Sequence, residues 1–124
     1  MSAGVIGTKE PIEFFGAEVR FLDTTEGGRK GPLWPHAGDS FAGYRPDFRV
    51  SRDAPFHGCA FASAPLQINP GDVAVVELIF WCCERKHPDF GVGTEFELCE
   101  GPKVVAKGKI LLKGSKVYVK PGAN

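Results

Sequence analysis

Sixteen glycines and ten prolines interrupt the 124-residue sequence. Between them no stretch holds a 3.6-residue apolar period long enough to bury a helical face. A chain broken this often builds from short extended segments, and its apolar residues alternate or cluster accordingly. Glu18-Val19-Arg20-Phe21-Leu22 reads as a strand that stops at Glu26-Gly27-Gly28-Arg29, where Gly27-Gly28 suits a turn with positive φ. Asp47 to Ser51 alternates cleanly. Val73 to Trp81 is an apolar run broken only by Glu77, entered from the turn Asn69-Pro70-Gly71-Asp72. Thr94 to Glu100 alternates, turns at Gly101-Pro102, and takes Lys103 to Leu112 as its hairpin partner. Ser115 to Lys120 alternates again and reads as a final strand. Short strands with Gly/Pro turns and no helix point to an all-β fold, either a closed barrel or a sandwich.

The length is that of one domain. No apolar run approaches the roughly 20 residues of a membrane helix. Met1 to Glu10 lacks the basic start and apolar stretch of a secretory signal, so a cytoplasmic protein with no membrane partner is expected. Ten Phe, two Trp and two Tyr argue against disorder. Fifteen basic and fifteen acidic residues cancel, but unevenly. Residues 101–124 hold six lysines and no acid, leaving the remainder acidic. Such a segment is either a nucleic-acid footprint or a solvated strand face with Lys guarding an edge; the bland reading is favoured. The four cysteines, at 59, 82, 83 and 99, match no paired CxxC pattern. Cys82 and Cys83 would point to opposite faces of a strand. They read as reduced, mostly buried thiols, with no metal site and no cofactor.

Several blocks resemble a known family. Ala17 to Leu22, then Glu26-Gly27-Gly28-Arg29 and Pro32-Leu33, look like the opening of the third, C-terminal domain of translation elongation factor Tu. Gly43-Tyr44-Arg45-Pro46 with Phe48 looks like that domain's second strand. Asn69 to Asp72 with Val76 to Ile79 resembles its Pro-Gly-Asp turn and following strand. Phe96 to Gly101 with Lys103 to Ile110 resembles its closing hairpin. The blocks fall in the family's order. The resemblance implies a six-stranded antiparallel Greek-key barrel over residues 15–112, with extensions at 1–14 and, Lys-rich, at 113–124. The sequence has no GxxxxGK[ST] loop and no Asn-Lys-x-Asp motif, so no nucleotide is expected, and the chain reads as a free-standing version of this one domain.

In the family this barrel helps hold aminoacyl-tRNA and docks other proteins. Arg29, Arg45, Glu100 and Gly101 fall on family positions. Asp47 replaces a glutamine, Val50 to Asp53 replaces a Thr-Thr stretch, Cys99 replaces an arginine and Pro102 a glycine. An acid at position 47 repels a phosphate-rich surface. Two readings result. In the first, the chain is a non-enzymatic binding module that docks a protein or self-associates, with Trp34, Phe41, Phe56 and Trp81 as apolar docking groups. In the alternative it is an RNA- or tRNA-binding accessory of translation. That reading uses Arg29, Arg45, Arg49, Arg52, Glu100, Gly101, Lys103, Lys107 and Lys109 as candidate contacts. Arg45 and Arg49 with Lys103, Lys107 and Lys109 form one basic stripe, with Tyr44 and Phe48 interleaved, if their strands are neighbours. Ser40, Ser51 and Ser63 with His36, His57 and His87 lie in no nucleophile context, and no enzyme is expected. Glu95 and Glu97 share a strand face and read as barrel exterior rather than a carboxylate pair.

Overall fold

A computed structural model describes residues 11–35, 44–80 and 89–117. Six strands are present among them: β1 (Ile12–Phe21), β2 (Asp47–Arg49), β3 (His57–Ser63), β4 (Val73–Phe80), β5 (Glu95–Glu100) and β6 (Lys103–Lys116). They close into a barrel in the order β1-β4-β3-β2-β5-β6, and every pairing is antiparallel. Strands β2, β3 and β4 follow one another, and β1 lies beside β4, which is the Greek-key arrangement. The expected six-stranded barrel is therefore the observed fold.

The turns form where their residues demand. Pro70 and Gly71 occupy the centre of a turn in which the Asp72 amide donates to the Asn69 carbonyl at 3.0 Å. Gly71 has φ 91°, the left-handed value that a type II turn needs at its third position. At Gly101-Pro102, Gly101 has φ 61° and proline fixes the next φ near −65°, the type II′ pairing that matches strand twist. After β1, Asp23 caps a 3-10 turn (Thr24–Glu26): its carboxylate accepts from the Glu26 amide at 2.9 Å, and the Glu26 carboxylate accepts from the Asp23 amide at 3.0 Å. The Thr25 hydroxyl holds the Asp23 carboxyl below its ordinary range, and Arg20 does the same for Glu26.

Alternation sends one face of each strand inward. Phe15, Ala17, Val19 and Phe21 of β1 meet Phe48, Cys59, Phe61, Val76, Leu78, Phe96, Leu98, Val105 and Ile110 in one core. Phe48 stacks on Phe96 with centroids 4.6 Å apart and meets Phe80 edge-on at 5.0 Å. Each such fully buried ring contributes about 1.5–3 kcal/mol. Phe96 lies across Gly108, its cross-strand neighbour; a Cβ there would sit 2.5 Å from Phe96 Cζ and 2.8 Å from the Glu18 carbonyl oxygen. Glycine at this site lets the ring close over the strand.

One strand is added to those expected and one expectation is corrected. β3, of sequence HGCAFAS, was not foreseen: it lacks β-branched residues, and its centre (Cys59, Ala60, Phe61) is buried on both faces, so polar alternation is missing. A separate final strand at Ser115 to Lys120 does not form within the described residues. Instead β6 runs on past Leu112, pairing Lys113 to Lys116 with Phe15 to Ile12, so the barrel's own sheet continues across both expected boundaries at residues 14 and 113. A bulge at Leu111 and another at Val105 put extra residues into β6. No described helix is long and apolar enough to cross a membrane.

Candidate functional site

The expected basic stripe does not form, because β5 lies between β2, which carries Arg49, and β6, which carries Lys103, Lys107 and Lys109. β2, β5 and β6 are neighbours, and register sets Arg49 level with Glu97 and Glu97 level with Lys107, with Arg20 of β1 next in line. One step along, Glu95 lies level with Lys109, and Lys109 with Glu18. Across the outer face the charges are of mixed sign: Glu95, Lys109 and Glu18 alternate in one row, while in the other Glu97 stands between Arg49 and Lys107, and Arg20 follows Lys107 with the same sign. β5 separates the basic strands and carries Glu95 and Glu97 between them. The Arg49 guanidinium donates to Glu97 Oε1 at 2.9 Å. It also donates to the Arg52 carbonyl at 3.3 Å and sits 5.0 Å from the Phe56 ring centroid, so it is held on all sides. Arg20 pairs with Glu26 at 2.9 Å.

Lys107 and Lys109 are different. Both are exposed, and neither forms an ion pair with a described residue, nor do Glu18 and Glu95. These four line an open cleft of about 490 Å³ together with Arg20, Glu97, Val50 and Val73.

A second group forms at the other end of β5. Arg29, Tyr44 and Glu100 come from three separate segments and converge. The Arg29 guanidinium pairs with Glu100 Oε2, and the Tyr44 hydroxyl donates to the same oxygen at 2.8 Å. Arg29 also lies 5.9 Å from the Tyr44 ring centroid. Burial first, then the bond to Glu100, pushes the Tyr44 hydroxyl far above the usual tyrosine range. The sequence marked Arg29 and Glu100 separately as candidate contacts; their mutual pairing uses both. Burial likewise raises the thiols of Cys59 and Cys99, both free and buried.

The remaining candidates scatter. Arg45 is exposed and precedes β2, which begins at Asp47, so strand alternation does not extend from Arg49 to Arg45. Arg52 is exposed in the β2–β3 connection, Gly101 forms the hairpin turn, and Lys103 follows it, also exposed. Phe48 is fully buried and Tyr44 packs edge-on against Phe61, so neither offers a free face for stacking a base. Trp34 and Phe56 are half-exposed, 48% and 46%, but lie in connections at opposite ends of the barrel, and so form no common patch. Phe41 and Trp81 lie outside the described residues, as do Cys82, Cys83, His36, Ser40 and His87. His57 packs against Phe90 and Phe80, centroids 5.9 and 6.2 Å away. What sequence reasoning missed is the acidic column of β5 between the basic strands, a signal readable only once the strand order is known. No family model matches the chain.

Proposed function

We propose that the chain is a non-enzymatic binding module, a barrel of the elongation factor Tu third-domain type that docks protein rather than RNA. The observation that carries this reading is that acids interrupt the basic residues across the outer face: Glu97 between Arg49 and Lys107, and Glu95 and Glu18 on either side of Lys109. Nucleic acid presents one sign of charge along its whole length, and its affinity comes from neutralising phosphates with uninterrupted Lys and Arg. Here each lysine row is flanked by Glu95, Glu97 or Glu18, and Arg49 is already engaged by Glu97. The aromatic side chains that would stack bases are in the core or packed against it. Mixed-sign surfaces suit recognition between proteins, where complementary charges fix register and exclude wrong partners.

The test is a titration of the purified chain with unfractionated tRNA, followed by fluorescence anisotropy at about 50 and about 200 mM salt. The expected result is no saturable binding at the lower salt. Saturable binding that collapses at the higher salt would overturn the reading in favour of an RNA-binding accessory acting through Arg45, Arg52 and Lys103.

A further inference from the structure

The outer face of the β5–β6 hairpin is sorted by strand: β5 carries Glu95 and Glu97, β6 carries Lys107 and Lys109. Within each strand the two charges are two residues apart, about 6.8 Å along the strand. Register holds Glu95 level with Lys109 and Glu97 level with Lys107. An acidic column therefore stands beside a basic column of the same pitch and height. From this geometry we infer that the face docks a second copy of the chain, which deepens the protein-docking reading above and rests on it.

Consider a two-fold axis parallel to the strands, above the seam between β5 and β6. Rotation about it lays β5 of one copy over β6 of the other without shifting height. Glu95 then faces Lys109 of the second copy, and Glu97 faces Lys107. The symmetry repeats both contacts, giving four opposed pairs in one isologous interface. The pairing requires that each strand be of one sign and that the two strands be in register; both conditions are met. The charges are also open to such use. Lys107, Lys109 and Glu95 form no ion pair with a described residue, although opposed residues on neighbouring strands are close enough for their side chains to interact. Glu97 holds Arg49 through Oε1. The third acid of β5, Glu100, is engaged by Arg29 and Tyr44 and stands outside the seam. A nucleic acid laid on the same face would meet the acidic column, whereas a second copy supplies the opposite sign at each position.

Exposed pairs of this kind are weak singly and screened by salt, so the dimer forms at low ionic strength and high protein concentration. Sedimentation velocity of the full chain at about 20 and about 300 mM salt reads it, with the dissociation constant rising at least about tenfold between them. Charge reversal fixes the location. Lys109→Glu and Glu95→Lys each set like charges opposite one another twice per dimer, and each weakens self-association at least about tenfold. Mixing the two variants restores it, because every opposed pair is again of opposite sign, and the double variant self-associates like the parent. Circular dichroism checks that each variant is folded; the mixing result holds even if the reversals cost some stability. A chain that stays monomeric at low salt and high concentration overturns the inference, as does a dimer indifferent to both reversals or a mixture that fails to recover. A monomer would leave the protein-docking reading standing, since that reading is decided separately by the tRNA titration.

Discussion

Glu97 and Glu100 leave the same strand three residues apart, yet their carboxylates meet different surroundings. Glu100 takes two donors on one oxygen, from Arg29 and Tyr44, at the end of the barrel where the connections after β1 and β5 come together. Glu97 holds Arg49 but also borders a lysine column that no described acid closes on. The first group is a clasp. It ties the segment after the 3-10 turn and the segment before β2 to the hairpin tip, and a half-buried charge on either side needs the other. The second is an exterior whose charges are spaced by the sheet rather than by contact. Opposite charges in register are thus consistent with two roles, and what separates them is closure: side chains that meet hold the fold, while side chains merely aligned remain available to another surface.

Three substitutions probe that contrast. The largest effect is expected inside the open face, at the residue between its lysines. Gly108→Ala places a methyl against Phe96 and the Glu18 carbonyl; the ring is stacked on Phe48 and cannot retreat, so the loss is about 3 kcal/mol in urea unfolding. A cost under about 0.5 kcal/mol would mean the strand yields there. Next, Glu100→Ala should destabilise by about 2 kcal/mol, because it leaves Arg29 and Tyr44 without their shared acceptor. Lys107→Ala, in the open column, should change stability by less than about 0.5 kcal/mol. Equal costs for the two would erase the distinction between clasp and exterior.

An effect between those of Glu100 and Lys107 lies at Tyr44. Tyr44→Phe should cost about 1 kcal/mol at neutral pH, the worth of one hydrogen bond. It also changes the alkaline limb. The folded state keeps the Tyr44 proton to higher pH than the unfolded state, whose tyrosines titrate near about 10. The stability this gives is complete below that value and lost as pH rises above it, because only the unfolded chain then gains by releasing the proton. Urea midpoints between about pH 8 and 11 should therefore fall less steeply in the phenylalanine variant than in the parent. Parallel curves would place the alkaline loss elsewhere, for instance at the buried thiol of Cys59, which burial also raises.

Much of the barrel was readable because pattern and punctuation agree. Glu18 to Leu22 and the hairpin around Gly101-Pro102 combine a two-residue period with a turn that Gly or Pro fits well, and Val73 to Trp81 is an apolar run entered from the turn Asn69-Pro70-Gly71-Asp72. β3 was not readable, since Cys59, Ala60 and Phe61 are buried in succession and give no alternation. Nor were the bulges at Val105 and Leu111, because an extra residue leaves no compositional mark. For the site, the stripe of Arg45 and Arg49 with Lys103, Lys107 and Lys109 depends on their strands being neighbours, and β2 and β6 are not. The sequence did not reveal that β5 stands between them, because strand order depends on long-range pairing. The Arg29–Glu100 contact, spanning 71 positions, was hidden for the same reason.

The pairing of β1 carries a consequence for how the barrel assembles. Its two neighbours are β4 and β6, and it shares no ladder with β2, the next strand in sequence. The chain beyond it can build a meander from β2 to β4 and a tight hairpin from β5 to β6 through short closures, but β1 has to wait for contacts that begin more than fifty residues away. Loop closure over such distances is entropically costly and slow. β1 is thus a stave without a short-range ladder: the cask is shut only when β4 and β6 both lie beside it.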